Sequence, residues 1–112
     1  MAGGAQLSVT DMRRSNRHPV DYRVIGEHRR IGDVKLHIVN ISAHGFMADG
    51  EIPFGRGERV IIRLPQVGRI EAHLIWVTGD RAGFQFERII RQEDFMTLIE
   101  TLQPNMRLRP RR

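Results

Sequence analysis

From Val20 onward the chain is cut into short stretches of alternating apolar and polar residues, each ended by glycine or proline. This constrains the fold most, because a period of two puts every second side chain on one face of a strand. Val20, Tyr22 and Val24 alternate with Asp21 and Arg23, and Gly26 to Gly32 reads as a turn carrying Glu27, His28, Arg29 and Arg30. Val34, Leu36 and Ile38 alternate with Lys35 and His37, forming the clearest strand, which runs into Val39–Ile41. Gly45 punctuates it, and Phe46–Ala48 resumes an extended piece before the turn signal Asp49-Gly50. Gly55 and Gly57 bracket another turn ahead of the strand Val60–Leu64, which Pro65 ends. Gly68 opens Ile70–Val77, with Ile70, Ala72, Leu74 and Trp76 assigned to one face and Trp76 and Phe84 to the core. Gly79-Asp80 is a tight turn into the last strand, Ala82–Phe86. Strands at this spacing predict a mainly β chain, a small antiparallel barrel or sandwich.

One segment changes period. Phe95, Leu98, Ile99 and Leu102 fall at i, i+3, i+4 and i+7 behind Glu93-Asp94, which predicts an amphipathic helix over Gln92–Leu102. Pro104 stops it. Residues 1–10 are small and polar and read as a mobile terminus, while Asp11–Pro19 is an arginine-rich extended lead-in. Residues 104–112 read as a disordered basic tail. At 112 residues, this leaves one domain over residues 11–103.

Charge then narrows the chemistry. The chain carries 18 Lys+Arg against 13 Asp+Glu, a net +5, and Lys35 is its only lysine. Arginine favours planar, bidentate recognition of phosphates and base edges over diffuse ammonium charge. With no cysteine, disulfides, thiolate zinc sites and thiol catalysis are excluded. The five histidines, His18, His28, His37, His44 and His73, show no metal-ligand spacing, and His37 and His73 read as outward or satisfied strand residues. No apolar run approaches the ~18–20 residues that span a bilayer. Met1–Thr10 lacks the features of a secretory signal, and Ala2 sits where myristoylation needs glycine. A soluble cytoplasmic protein without membrane insertion is expected.

Two motifs stand out. Arg13-Arg14-Ser15-Asn16-Arg17 places Arg13 and Arg17 four apart, a spacing shared by Arg59/Arg63 and Arg107/Arg111 and so weak alone. Asn40-Ile41-Ser42-Ala43-His44-Gly45 is rarer, with about 0.02 occurrences expected from residue frequencies. It ends the clearest strand, where Gly45 permits a turn of unusual φ. Asn40 brings a donor and an acceptor and Ser42 a hydroxyl of either sense, although both also serve plain turn chemistry. Ser42 and His44 could suggest a nucleophile and a base, but no acid is placed to orient His44, so catalysis is not expected.

Taken together and in this order, the two motifs resemble the PilZ family of bacterial cyclic di-GMP receptors. Arg17-His18-Pro19-Val20, Gly45-Phe46 and Ala82-Gly83-Phe84-Gln85-Phe86 extend the resemblance over roughly residues 11–102. It implies a six-stranded antiparallel β-barrel with a C-terminal α-helix, and an N-terminal arginine loop that swings over a ligand held against the barrel. Arg13 and Arg17 would clamp the ligand, Arg14 would assist, and Asn40, Ser42 and Gly45 would hold it on the barrel surface. The family also uses Asp where Asn40 stands, so this chain lacks a carboxylate that could pair with guanine N1–H and N2–H. The resemblance ties ligand number to the residue before the arginine motif, and the neutral Met12 there implies one ligand per chain. The expected function is non-enzymatic second-messenger signalling to an effector protein, with cyclic di-GMP as ligand and no other cofactor. The rivals are a basic β-barrel binding single-stranded nucleic acid, against which a 6% aromatic content argues, and a ligand-free PilZ adaptor.

Overall fold

The computed structural model describes residues 17–102. The expectations for residues 1–10, Met12, Arg13, Arg14 and residues 104–112 lie outside the described residues. Six strands, β1 (His18–His28), β2 (Gly32–Ile41), β3 (Gly45–Asp49), β4 (Arg59–Leu64), β5 (Gly68–Thr78) and β6 (Arg81–Phe86), precede one helix, α1 (Gln92–Leu102). All pairings are antiparallel, and the order β1-β2-β3-β6-β5-β4 closes into a barrel where Glu27 on β1 meets Ile61 on β4. Of barrel and sandwich, the chain forms the barrel. Closure removes the open sheet edges that would otherwise invite aggregation.

Alternation drives this closure. The inward positions Ile38, Ile41, Val60, Ile62, Ile70 and Leu74 are at most 1% exposed, each burial being worth ~1.5–3 kcal/mol. Phe46, Phe54 and Phe84 extend the core, with Phe46 and Phe84 stacked at 4.6 Å. Helix α1 has the predicted bounds and buries its predicted stripe, Phe95, Leu98, Ile99 and Leu102. Phe95 meets His18 of β1 edge-on at 5.5 Å. No helix among the described residues is long and apolar enough to cross a membrane.

Three expectations change. Gly26–Gly32 is not all turn: β1 continues to His28, and only Arg29–Ile31 turn. Gly26 is an inward strand position where a Cβ would sit 2.5 Å from Val60 Cγ2, so the glycine answers to packing between strands. His28 is then buried, its Nε2 2.7 Å from Glu58 Oε1 and its Nδ1 accepting the backbone N–H groups of Arg30 and Ile31. Trp76 does not share the inner face of Ile70, Ala72 and Leu74. The β5–β6 register slips between Leu74 and Trp76, and one extra residue reverses the side chains beyond it. Gly45, finally, has no positive φ. Its Cβ would collide with the Phe84 carbonyl oxygen, so β6 rather than turn geometry requires the glycine.

Candidate functional site

The site is built on the outer face of the barrel by strand register. Asn40 on β2 lies opposite Met47 on β3, Met47 opposite Gly83 on β6, and Gly83 opposite Trp76 on β5. Gly83 leaves a gap in this row. The Trp76 indole lies across it, where any Cβ on residue 83 would collide with the ring. The slipped register of β5 therefore turns an expected core residue into a half-exposed aromatic surface, 36% accessible.

Beside that surface the β2–β3 connection is folded back on itself. The Ser42 N–H donates to the Gly45 carbonyl at 2.8 Å, and the His44 N–H donates to Ser42 Oγ at 3.1 Å. Ser42 Oγ is itself 3.5 Å from the Gly45 carbonyl, leaving its proton weakly engaged. Two further bonds pin the connection from later in the chain, Phe86 N–H to the His44 carbonyl at 2.8 Å and Ile90 N–H to the Ala43 carbonyl at 3.0 Å. Turn chemistry thus operates at Ser42 but not at Asn40, whose side chain stands on β2 and contacts Met47 instead.

The result is a cleft of about 280 Å³ lined by Arg17, Asn40, Ser42, His44 and Gly45 on one side and Ile75, Trp76 and Gln85 on the other. Arg17, Asn40, Ser42 and Gly45, far apart in sequence, are brought together, whereas Arg13 and Arg14 lie outside the described residues. Arg17 is exposed and immediately precedes β1. Among the described residues Asn40 Nδ2 meets the Met47 thioether alone, at 3.9 Å, a weak acceptor that a better one would displace. Among the described residues, no carboxylate lines the cleft. An arginine, two neutral polar side chains and an indole face suit an anionic, planar, hydrogen-bonding ligand such as a nucleotide. The Ser42–His44 contact comes from the backbone N–H, not the imidazole, and so has no nucleophile–base character.

Sequence reasoning missed Trp76, Met47 and Gln85. The signal for Trp76 was the run Ile75-Trp76-Val77, where alternation fails, facing Gly83 on the next strand. Away from the cleft, Glu58 accepts hydrogen bonds from the Gly55 N–H, His28 and Arg30, which hold its carboxyl below the usual range. Arg63 is exposed on β4, where it pairs with Arg69 at the end of β5 remote from Trp76.

Comparison with known proteins agrees with this architecture. The inhibitor of motility MotI/DgrA of Bacillus subtilis shares the fold at a TM-score of 0.53 and 22% identity, over 89% of this chain and 53% of that one. The chain thus spans about half the length of that protein. No match is found among curated protein sequences. The PilZ domain model matches residues 11–102, from the arginine motif through the barrel to the last residue of α1. The chain belongs to the PilZ domain family.

Proposed function

We propose that the protein is a non-enzymatic receptor for cyclic di-GMP, bound in the outer-face cleft. The observation that carries this reading is the convergence of Arg17, Asn40, Ser42 and Gly45 beside the Trp76 indole, in a cleft without carboxylates among its described residues. A guanine stacks on Trp76 and offers O6 and N7 to a guanidinium, a pairing worth ~1–3 kcal/mol of base discrimination. Asn40 and Ser42 bind base edges or phosphate oxygens, and Arg17 neutralises phosphate charge. Arg13 and Arg14 complete the clamp, with one ligand per chain.

Signalling relies on the clamp. Ligand draws the arginine segment ending at Arg17 against the barrel, and the altered surface is read by an effector protein. The energy available is the difference in ligand affinity between the clamped and unclamped states. Calorimetric titration with cyclic di-GMP, with GTP and a single-stranded oligonucleotide as controls, tests the reading. Saturable cyclic di-GMP binding near one to one, not displaced by equimolar GTP, supports it. Length-dependent oligonucleotide binding without cyclic di-GMP heat hands the cleft to nucleic acid instead.

A further inference from the structure

Trp76 is a wall with two sides. Arg17, Asn40 and Ser42 lie towards one, and a second, more open cleft lined by Met47, Trp76, Thr78 and Arg81 lies towards the other. Register sets this second cleft one row along the same outer face, with Asp49 opposite Arg81 and Arg81 opposite Thr78. The Arg81 side chain is half exposed and held in place, its Nε donating to Asp49 Oδ1 at 2.8 Å. Its Nη1 meets the Met47 sulfur at 3.6 Å, the same atom that receives Asn40 Nδ2. One flexible methionine therefore separates Arg81 from the Asn-Ser motif, and Arg81 Nη1 and Asn40 Nδ2 both face its weak acceptor.

We propose that Arg81, with Thr78 beside it, forms a second ligand subsite. It takes the other guanine of a cyclic dinucleotide whose first guanine lies on the Asn40 side of Trp76. This rests on the cyclic di-GMP reading above and extends it to a residue outside both motifs. The Asp49 pair orients the guanidinium and leaves its Nη edge for the O6/N7 acceptor pair of guanine, with the Met47 thioether moving aside. A ligand with two bases then straddles the indole, while a mononucleotide reaches only one side.

Trp76 is the sole tryptophan, so its fluorescence in the full chain reports binding directly. Cyclic di-GMP is titrated into wild type, Ser42→Ala, Arg81→Gln, Asp49→Asn and Arg63→Gln. Arg81→Gln should weaken binding about tenfold or more, as loss of a charge-assisted contact implies. Arg63→Gln, which removes the same charge elsewhere, should stay within about twofold. Asp49→Asn keeps the Arg81 guanidinium and loses only the carboxylate that orients it, so binding should weaken by about threefold or less. Arg81→Lys keeps the charge but not the fork; it serves if Arg81→Gln melts early, and should bind about threefold or more weaker. Wild-type-like affinity in both Arg81 variants overturns the subsite, as does an Asp49→Asn loss equal to that of Arg81→Gln. If wild type itself fails to bind, the functional reading falls. If Ser42→Ala weakens binding and the Arg81 variants do not, that reading stands and only the second subsite is lost.

Discussion

Replacing Gly45 by alanine separates two reasons for a glycine. Were a left-handed φ the reason, strain at Gly45 itself would decide; its φ is not positive, and alanine would on that ground stabilise the fold by ~0.4–1 kcal/mol through the unfolded chain. Close approach predicts the opposite. The new Cβ would run into the Phe84 carbonyl oxygen and stand 3.0 Å from Gln85 Cα, both backbone atoms of β6. Strand β6 cannot retreat freely, because Phe84 is stacked on Phe46 at 4.6 Å inside the barrel. Overpacking costs ~1–3 kcal/mol, and a collision with the backbone of a pinned strand takes the upper end, so a net loss of about 2 kcal/mol remains after the entropic gain. In a domain of this size, that is a fall in Tm of roughly 8–16 °C. Calorimetric melts without ligand measure it, with Gly55→Ala as the control. There the Cβ meets only Glu58 Oε2 at 3.5 Å, and Tm should hold within about 4 °C. A Gly45→Ala protein as stable as wild type would refute the close-approach argument.

The same geometry sets further outcomes. Arg17→Ala should weaken cyclic di-GMP binding ~10- to 150-fold by loss of a charge-assisted contact. Ser42→Ala should cost ~2- to 12-fold and Arg63→Ala almost nothing, all read by calorimetry beside ligand-free melts that stay near wild type for Arg17→Ala. Equal damage from Arg63→Ala would mean that binding tracks overall charge. Asn40→Asp should tighten cyclic di-GMP binding about fivefold, since a carboxylate accepting guanine N1–H and N2–H adds ~1 kcal/mol over a neutral amide; weaker binding would place phosphate, not a base edge, at Asn40. The carboxyl of Glu58 is held below its ordinary value by the Gly55 N–H, His28 and Arg30. Its stabilisation is complete above the unfolded-state value and is lost as pH falls through the lower folded value. The margin of wild type over Glu58→Gln in urea melts should therefore shrink from about pH 6 to about pH 3, and a margin that widens contradicts the assignment.

Alternation and turn residues carried the strands, and the 3.6-residue spacing of Phe95, Leu98, Ile99 and Leu102 carried the helix to its observed ends. What they could not carry were contacts between strands. Gly26 looks like a turn residue in one dimension, and only the approach of Val60 from β4 shows it to be an inward strand position. His28 hid for the same reason, since its partner Glu58 is distant in sequence. Trp76 was misread because a period-two pattern assumes unbroken register, and the slip beside Leu74 reverses everything beyond it. Four motif residues, Arg17, Asn40, Ser42 and Gly45, nevertheless line one cleft. The motif marked the polar rim in advance; the aromatic wall had no linear signature beyond a lapse in alternation.

The proposed function stands or falls on whether cyclic di-GMP binds the β2–β3–β6–β5 face, against Trp76. A ¹⁵N-labelled sample titrated with cyclic di-GMP tests this, because amide shifts report the place of binding as well as its occurrence. Binding at this face should give saturable shifts of the Trp76 indole N–H and of the amides of Asn40, Ser42, Gly45, Gly83 and Gln85, with Arg29–Ile31 and Glu58 unmoved. Shifts centred on Arg29, Arg30 and Glu58, or no shift of the indole at saturating ligand, would contradict it.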